Sequence, residues 1–195
     1  EEINARTKVG DAQDRRRLAV LNLETGEGAW AGLDGVIDVV AIPKPVDGDA
    51  PKPVDGGAPK PVDGGKRDVR WGSPALSPDG GHALVPVRSA DNTERWLVVV
   101  DPATGKTKVL DHLKDEAWIR EGGQGWLPDS RRVWFLAEHD GWMHLYTVDA
   151  ASAAPARQQL TTGQFEIDQV ELSPDGRTFY IQSNDQHPGE RHIYS

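Results

Sequence analysis

The feature that most constrains this chain is a repeat of about 48 residues built from strand-forming segments. LSPDG occupies 76–80, WLPDS 126–130 and LSPDG again 172–176, so the prolines at 78, 128 and 174 are 50 and 46 residues apart. A second segment follows each time: RWLVVVD at 95–101, MHLYTVD at 143–149 and RHIYS at 191–195. Leu97, Leu145 and Ile193 keep a spacing of 48. DPATGKTKVL at 101–110 corresponds to DAASAAPARQQL at 149–160, and LAVLNLETG at 18–26 matches LVVVDPATG at 97–105. A period of this length made of strands is the signature of a propeller blade.

The unit has a physical grammar. Pro-Asp-Gly makes a tight turn, with Asp capping the backbone and Gly taking positive φ. A strand follows, at 82–88, 132–138 or 177–183, and a short turn leads to the next, at 94–100 or 142–149. A further strand is expected at 165–172, and outer strands at positions such as 106–110. Val133, Phe135 and Ala137 alternate with Trp134 and Leu136, so both faces of that strand are apolar, as in stacked sheets. Helical periodicity never persists, which predicts almost no helix. The composition agrees: 7 Trp against 3 Phe and 3 Tyr, with 21 Gly and 14 Pro, suits short strands and many turns. The expected fold is all-β, a partial β-propeller of three to four four-stranded antiparallel blades. They lie at about 18–42 (partial), 68–113, 114–160 and 161–195 (partial), all within one propeller domain over 1–195. Residues 43–66 repeat PKPVDG three times with balanced charge and no apolar face, and read as a surface loop insertion.

Several chemistries are excluded. A net charge of −9 opposes binding to nucleic acid phosphates or anionic lipid, and no 18-residue apolar run could span a membrane. The absence of cysteine removes disulfides, thiolate catalysis and cysteine-based metal sites. DPATGKT (101–107) lacks the first glycine of a phosphate loop and sits between strands. The histidines form no HExxH; His187, His192 and Asp185 make a poor metal set, and His144 and His192 recur with the repeat as packing positions. No metal and no cofactor is expected. Most tryptophans are expected between blades, and Asp79, Asp129 and Asp175 are expected to form turns.

Three stretches in order carry a family resemblance. RDVRWGSPALSPDGG (67–81) leads to RSADNTERWLVVVDPATGK (88–106); DEAWI (115–119) leads to GWLPDSRRVWFLAEHDGWMHLYTVD (125–149). QLTTGQFEIDQVELSPDGRTFYIQSND (159–185) then runs into HPGERHIYS (187–195). Together they resemble the N-terminal β-propeller of the prolyl oligopeptidase family, in its dipeptidyl peptidase IV branch of bacterial type. The resemblance implies a lid that gates substrate, set against an α/β-hydrolase domain whose Ser-Asp-His triad removes N-terminal dipeptides. It also implies a peptide substrate and a periplasmic or secreted location. No serine here has glycine at both −2 and +2, so the nucleophile elbow is expected outside this chain. The adjacent pair Glu1-Glu2 lacks the family's amine-anchoring motif.

The resemblance also points to the loop after Trp118, which in relatives faces the tunnel and supplies an Arg to substrate. Trp118, Arg120 and Glu121 are the candidate tunnel residues; otherwise Trp118 packs between blades beside a solvated Arg-Glu pair. A different reading is a stand-alone periplasmic-type propeller that binds protein without chemistry. A glycine-flanked serine elbow some 200–300 residues past Ser195 would decide for the peptidase. An open set of blades is also expected to self-associate, through the strands at 132–138, which carries Trp134, and 177–183.

Overall fold

The structure is a computed structural model, and residues 16–33, 36, 40–42 and 68–195 are described. The 43–66 repeat and Glu1-Glu2 lie outside the described residues. Four antiparallel sheets follow one another along the chain. The first holds β1 (Ala19–Leu21), β2 (Gly28–Trp30) and β3 (Val40–Ile42). The second holds β4 (Val69–Trp71), β5 (Ala75–Leu76), β6 (Ala83–Ser89), β7 (Glu94–Val100) and β8 (Thr107–Lys114). β4 and β5 both pair with β6, as one inner strand broken at Gly72. The third runs β9 (Gln124–Trp126), β10 (Arg132–Ala137), β11 (His144–Asp149) and β12 (Arg157–Gln159). The fourth holds β13 (Ile167–Leu172), β14 (Phe179–Ser183) and β15 (His192–Tyr194). No helix occurs among the described residues. Each sheet is an up-and-down meander, the form of a propeller blade.

Strand alternation sorts the core into three layers between successive sheets. In the second sheet Val85, Val87, Trp96, Val98 and Val100 turn toward the first, packing with Ala31 and Leu33. Leu84, Leu97 and Val99 turn the other way, onto Val133, Phe135, Tyr146 and Val148 of the third. The opposite face of the third sheet, Trp134, Leu136 and Leu145, meets Ile167, Val170, Phe179 and Ile181 of the fourth. Period-2 patterning with both faces apolar therefore becomes sheet-on-sheet stacking. Trp71, Trp96 and Trp126 are buried as expected, and Trp134 meets Phe179 edge-on at 6.0 Å; Trp118 and Trp142 are exposed. β10 is covered on both sides, so it is not an exposed contributor to self-association. On the fourth sheet Tyr180 and Ile193 are exposed.

The repeated turns are built by their aspartates. Asp79 accepts the Gly81 N–H at 3.0 Å, Asp129 those of Arg131 and Arg132, and Asp175 that of Arg177 at 3.1 Å. Glycine follows at positive φ in two of them (Gly80, 73°; Gly176, 68°), while Ser130 takes φ 54° in the third. Near that turn Arg131 grips Asp149 with both Nε and Nη2, the shortest contact being 2.5 Å. The Arg131 hydrogen bonds push the Asp149 carboxyl down to about 2. A carboxyl held below its unfolded value stabilises the fold above that value and loses its contribution as pH falls from about 4 toward 2. The Asp149 carboxyl should thus titrate near 2 by NMR and return toward the ordinary value in Arg131→Gln; an unmoved midpoint would show that the grip does not form in solution.

Candidate functional site

The segment between β8 and β9, residues 115–123, carries the sequence candidates. Asp115 receives the Ala117 N–H on its own carboxylate at 2.7 Å, which turns the chain away from β8. Ile119 anchors the loop: it is 1% exposed, and its N–H donates to the Asn92 carbonyl at 3.0 Å. Its carbonyl accepts a bond from Arg88 Nη2. Asn92 sits at φ 61°, and Arg70 holds its side chain at 2.8 Å.

After the anchor, two glycines let the chain lie flat on the third sheet. A Cβ at Gly122 would stand 2.6 Å from the Leu136 carbonyl oxygen, and one at Gly123 would meet the Trp134 ring at 3.4 Å. At 122 no other residue allows so close an approach of backbone to strand, whereas the spacing at 123 is ordinary contact. The run EGGQG thus shapes the loop.

Burial of Ile119 leaves Trp118 facing solvent, 66% exposed, so it does not pack between sheets. Arg120 and Glu121 are not a pair of their own. Arg120 Nη2 donates to Asp168 Oδ1 at 2.9 Å, its Nη1 reaches Glu166 at 3.5 Å, and its N–H points at Glu138 at 3.4 Å. Glu121 instead pairs with Arg88 at 3.5 Å. Arg191 approaches the other oxygen of Asp168. The structure therefore brings Trp118, Arg120 and Glu121 onto one loop but gives the two charges different partners. Glu166, Asp168, Arg88 and Arg191 were not picked out by the sequence reading. The one available signal was the alternation in FEID (165–168), which turns Ile167 inward and its two acidic neighbours outward.

A groove of about 590 Å³ opens beside this cluster, lined by Gly123, Asp168, Gln169, Glu171, Tyr180 and Ile193 among others. Of the two repeat histidines His144 serves packing: it is fully buried, with Thr161 at 3.1 Å, the Gly163 carbonyl at 3.0 Å and Phe165 edge-on, whereas His192 is half-exposed and lies 3.2 Å from Glu190. Among the described residues no group of His, Asp and Glu side chains could hold a metal ion.

Comparison with known proteins adds the family. A family model described as the dipeptidyl peptidase IV (DPP IV) N-terminal region matches residues 46–195. The protein described as "Probable dipeptidyl peptidase 4" from Emericella nidulans is 29% identical over 121 residues, covering 52% of this chain and 14% of that protein. An uncharacterized protein of Agrobacterium fabrum is 28% identical over 110 residues, covering 56% of this chain and 34% of its own length. A solved structure of a candidate dipeptidyl aminopeptidase IV from Bacteroides ovatus superposes with a TM-score of 0.53 at 16% identity. It covers 86% of this chain and 26% of the Bacteroides chain. The chain thus spans about a third or less of the length of these relatives. With a match over most of its residues, the chain belongs to the dipeptidyl peptidase IV N-terminal region family.

Proposed function

We propose that this chain is the propeller portion of a dipeptidyl peptidase IV-like serine peptidase, and that it gates access and contacts the N-terminal side of a peptide substrate. The observation that carries this reading is the family match over 46–195, which includes the 115–123 loop with its exposed Trp118. In this reading the tunnel-facing residues are Trp118, with Arg120 and Glu121 beside it. Proteolysis belongs to an α/β-hydrolase domain acting with the propeller, because no serine of this chain stands in a Gly-x-Ser-x-Gly elbow. The reading also includes self-association through the exposed face of the fourth sheet.

The purified chain should release no chromophore from a Xaa-Pro chromogenic dipeptide and take up no fluorophosphonate. The full-length gene product should do both. In that full-length enzyme Trp118→Ala should raise KM several-fold with little change in kcat, the signature of lost binding common to ground and transition states. Stoichiometric labelling of any serine in the isolated chain would refute this reading.

A further inference from the structure

We propose that Asp168 is a positioning residue: by holding Arg120 it sets the pose in which the 115–123 loop presents Trp118. The meaning of that pose for substrate rests on the function proposed above; the clamp itself rests on geometry alone.

Arg120 follows the buried Ile119 anchor directly, and its guanidinium crosses from the loop to the fourth sheet. There it meets two carboxylates that are themselves fixed. Glu166 accepts the Met143 N–H at 3.1 Å, and its own N–H donates to Asn184 Oδ1 at 2.7 Å. Asp168 is engaged by Arg191 on its second oxygen. Their side chains are 25% and 21% exposed, so water screens this network less than an open surface pair. Arg120 and Arg191 thus face Glu166 and Asp168, with Glu138 a third carboxylate at the Arg120 N–H. Arg120 is therefore not a free cation awaiting a ligand, and Trp118 with Glu121 is what the loop offers outward. Ile119 ties the loop to the second sheet through Asn92 and Arg88, and Arg120 ties it to the fourth. Asp168 takes the shortest bond from Arg120, at 2.9 Å against 3.5 Å for Glu166, so it should govern the pose.

The chain has no cysteine, so Ala117→Cys, at an exposed position beside Trp118, gives a unique site for a nitroxide label that reports loop motion by electron paramagnetic resonance. Adding Asp168→Asn should shorten the label's correlation time at least about two-fold on the nanosecond scale of loop motion. The melting temperature should stay within about 3 °C. Asp168→Glu, which keeps the charge, should stay near the parent. An unchanged spectrum in Asp168→Asn, or a change that comes only with collapse of the melting transition, would overturn the proposal. Should Asp168→Asn fail to fold, Arg120→Lys, which loses the two-pronged donor, carries the same expectation and the same overturning result. Titrating the tripeptide Ala-Pro-Ala separates the two claims. A loosened loop in Asp168→Asn, with no spectral response of the parent label to peptide, would uphold the clamp and overturn the substrate-facing reading alone.

Discussion

Gly176→Ala should destabilise the protein by about 2–5 kcal/mol, whereas Gly80→Ala at the matching place of another turn should cost only about 1–2 kcal/mol. Both glycines sit at positive φ, 68° and 73°, so alanine carries the left-handed penalty at each. They differ in what a side chain would meet. Around Gly80 nothing lies within 4 Å, while a Cβ on Gly176 would fall 2.1 Å from Pro128 Cγ. Pro128 belongs to the preceding turn, of the third sheet, so the turn of the fourth sheet rests on it. The stack continues: Ser130 Oγ accepts the Asp79 N–H at 3.0 Å, joining the third sheet's turn to the second's. An alanine at 176 must therefore push two blades apart at that end or bend the turn. Thermal unfolding should show a drop of several degrees more for Gly176→Ala than for Gly80→Ala, since about 1 kcal/mol moves a domain of this size by 2–4 °C. Equal losses would mean that the turns do not stack.

The contrast also shows what the sequence could and could not disclose. Pro-Asp-Gly announced two of the turns and Pro-Asp-Ser the third, and the 48-residue register put Leu97, Leu145 and Ile193 on β7, β11 and β15, the third-rank strands of their sheets. The same register does not fix burial. Leu97 and Leu145 are 3% and 2% exposed, but Ile193 is 76% exposed, because no further sheet among the described residues covers it. Most strand ends fell within about two residues of expectation because apolar alternation stops where the backbone turns; β8 instead runs to Lys114, four residues past the expected 110. The loop's partners were hidden for a different reason. Arg120 bonds to residues 46 and 48 positions onward, nearly one repeat away, so each partner lies at a related height in the next sheet. Hydrophobic period reports the faces of a strand; it carries no mark of which charged side chains at the sheet edges will find one another. Trp118 is the same case reversed. Its aromatic character suggested packing, but burial of Ile119 next to it left the indole outside.

Asp111→Ala should cost about 3–5 kcal/mol, a loss of the size expected when one partner of a buried charge pair is removed. Asp111 is 4% exposed on β8, facing the third sheet, and three donors converge on it. His139 Nε2 lies 3.0 Å from both carboxylate oxygens, Arg157 Nη1 lies at 3.5 Å and Arg95 Nη2 at 3.9 Å. Arg95, on β7, is 6% exposed and donates its Nη1 to the Leu136 carbonyl on β10 at 2.9 Å. Burial pulls the Arg95 guanidinium below its ordinary range, and the Asp111 charge pushes the other way. Without that carboxylate a nearly dry cation keeps one carbonyl and only the weaker influence of the Glu138 charge, at the layer that joins the second and third sheets. Asp111→Asn, which keeps shape and an acceptor for His139, should fall between. The decisive measurement is the double variant Arg95→Met, Asp111→Ala in urea unfolding. It removes the stranded charge and refills the volume with an apolar chain, so it should regain much of the loss rather than add to it. A double variant whose cost equals the sum of the two single changes would show that Arg95 and Asp111 act independently, and that the pair adds nothing to the apolar layer of Leu84, Leu97, Phe135, Tyr146 and their neighbours.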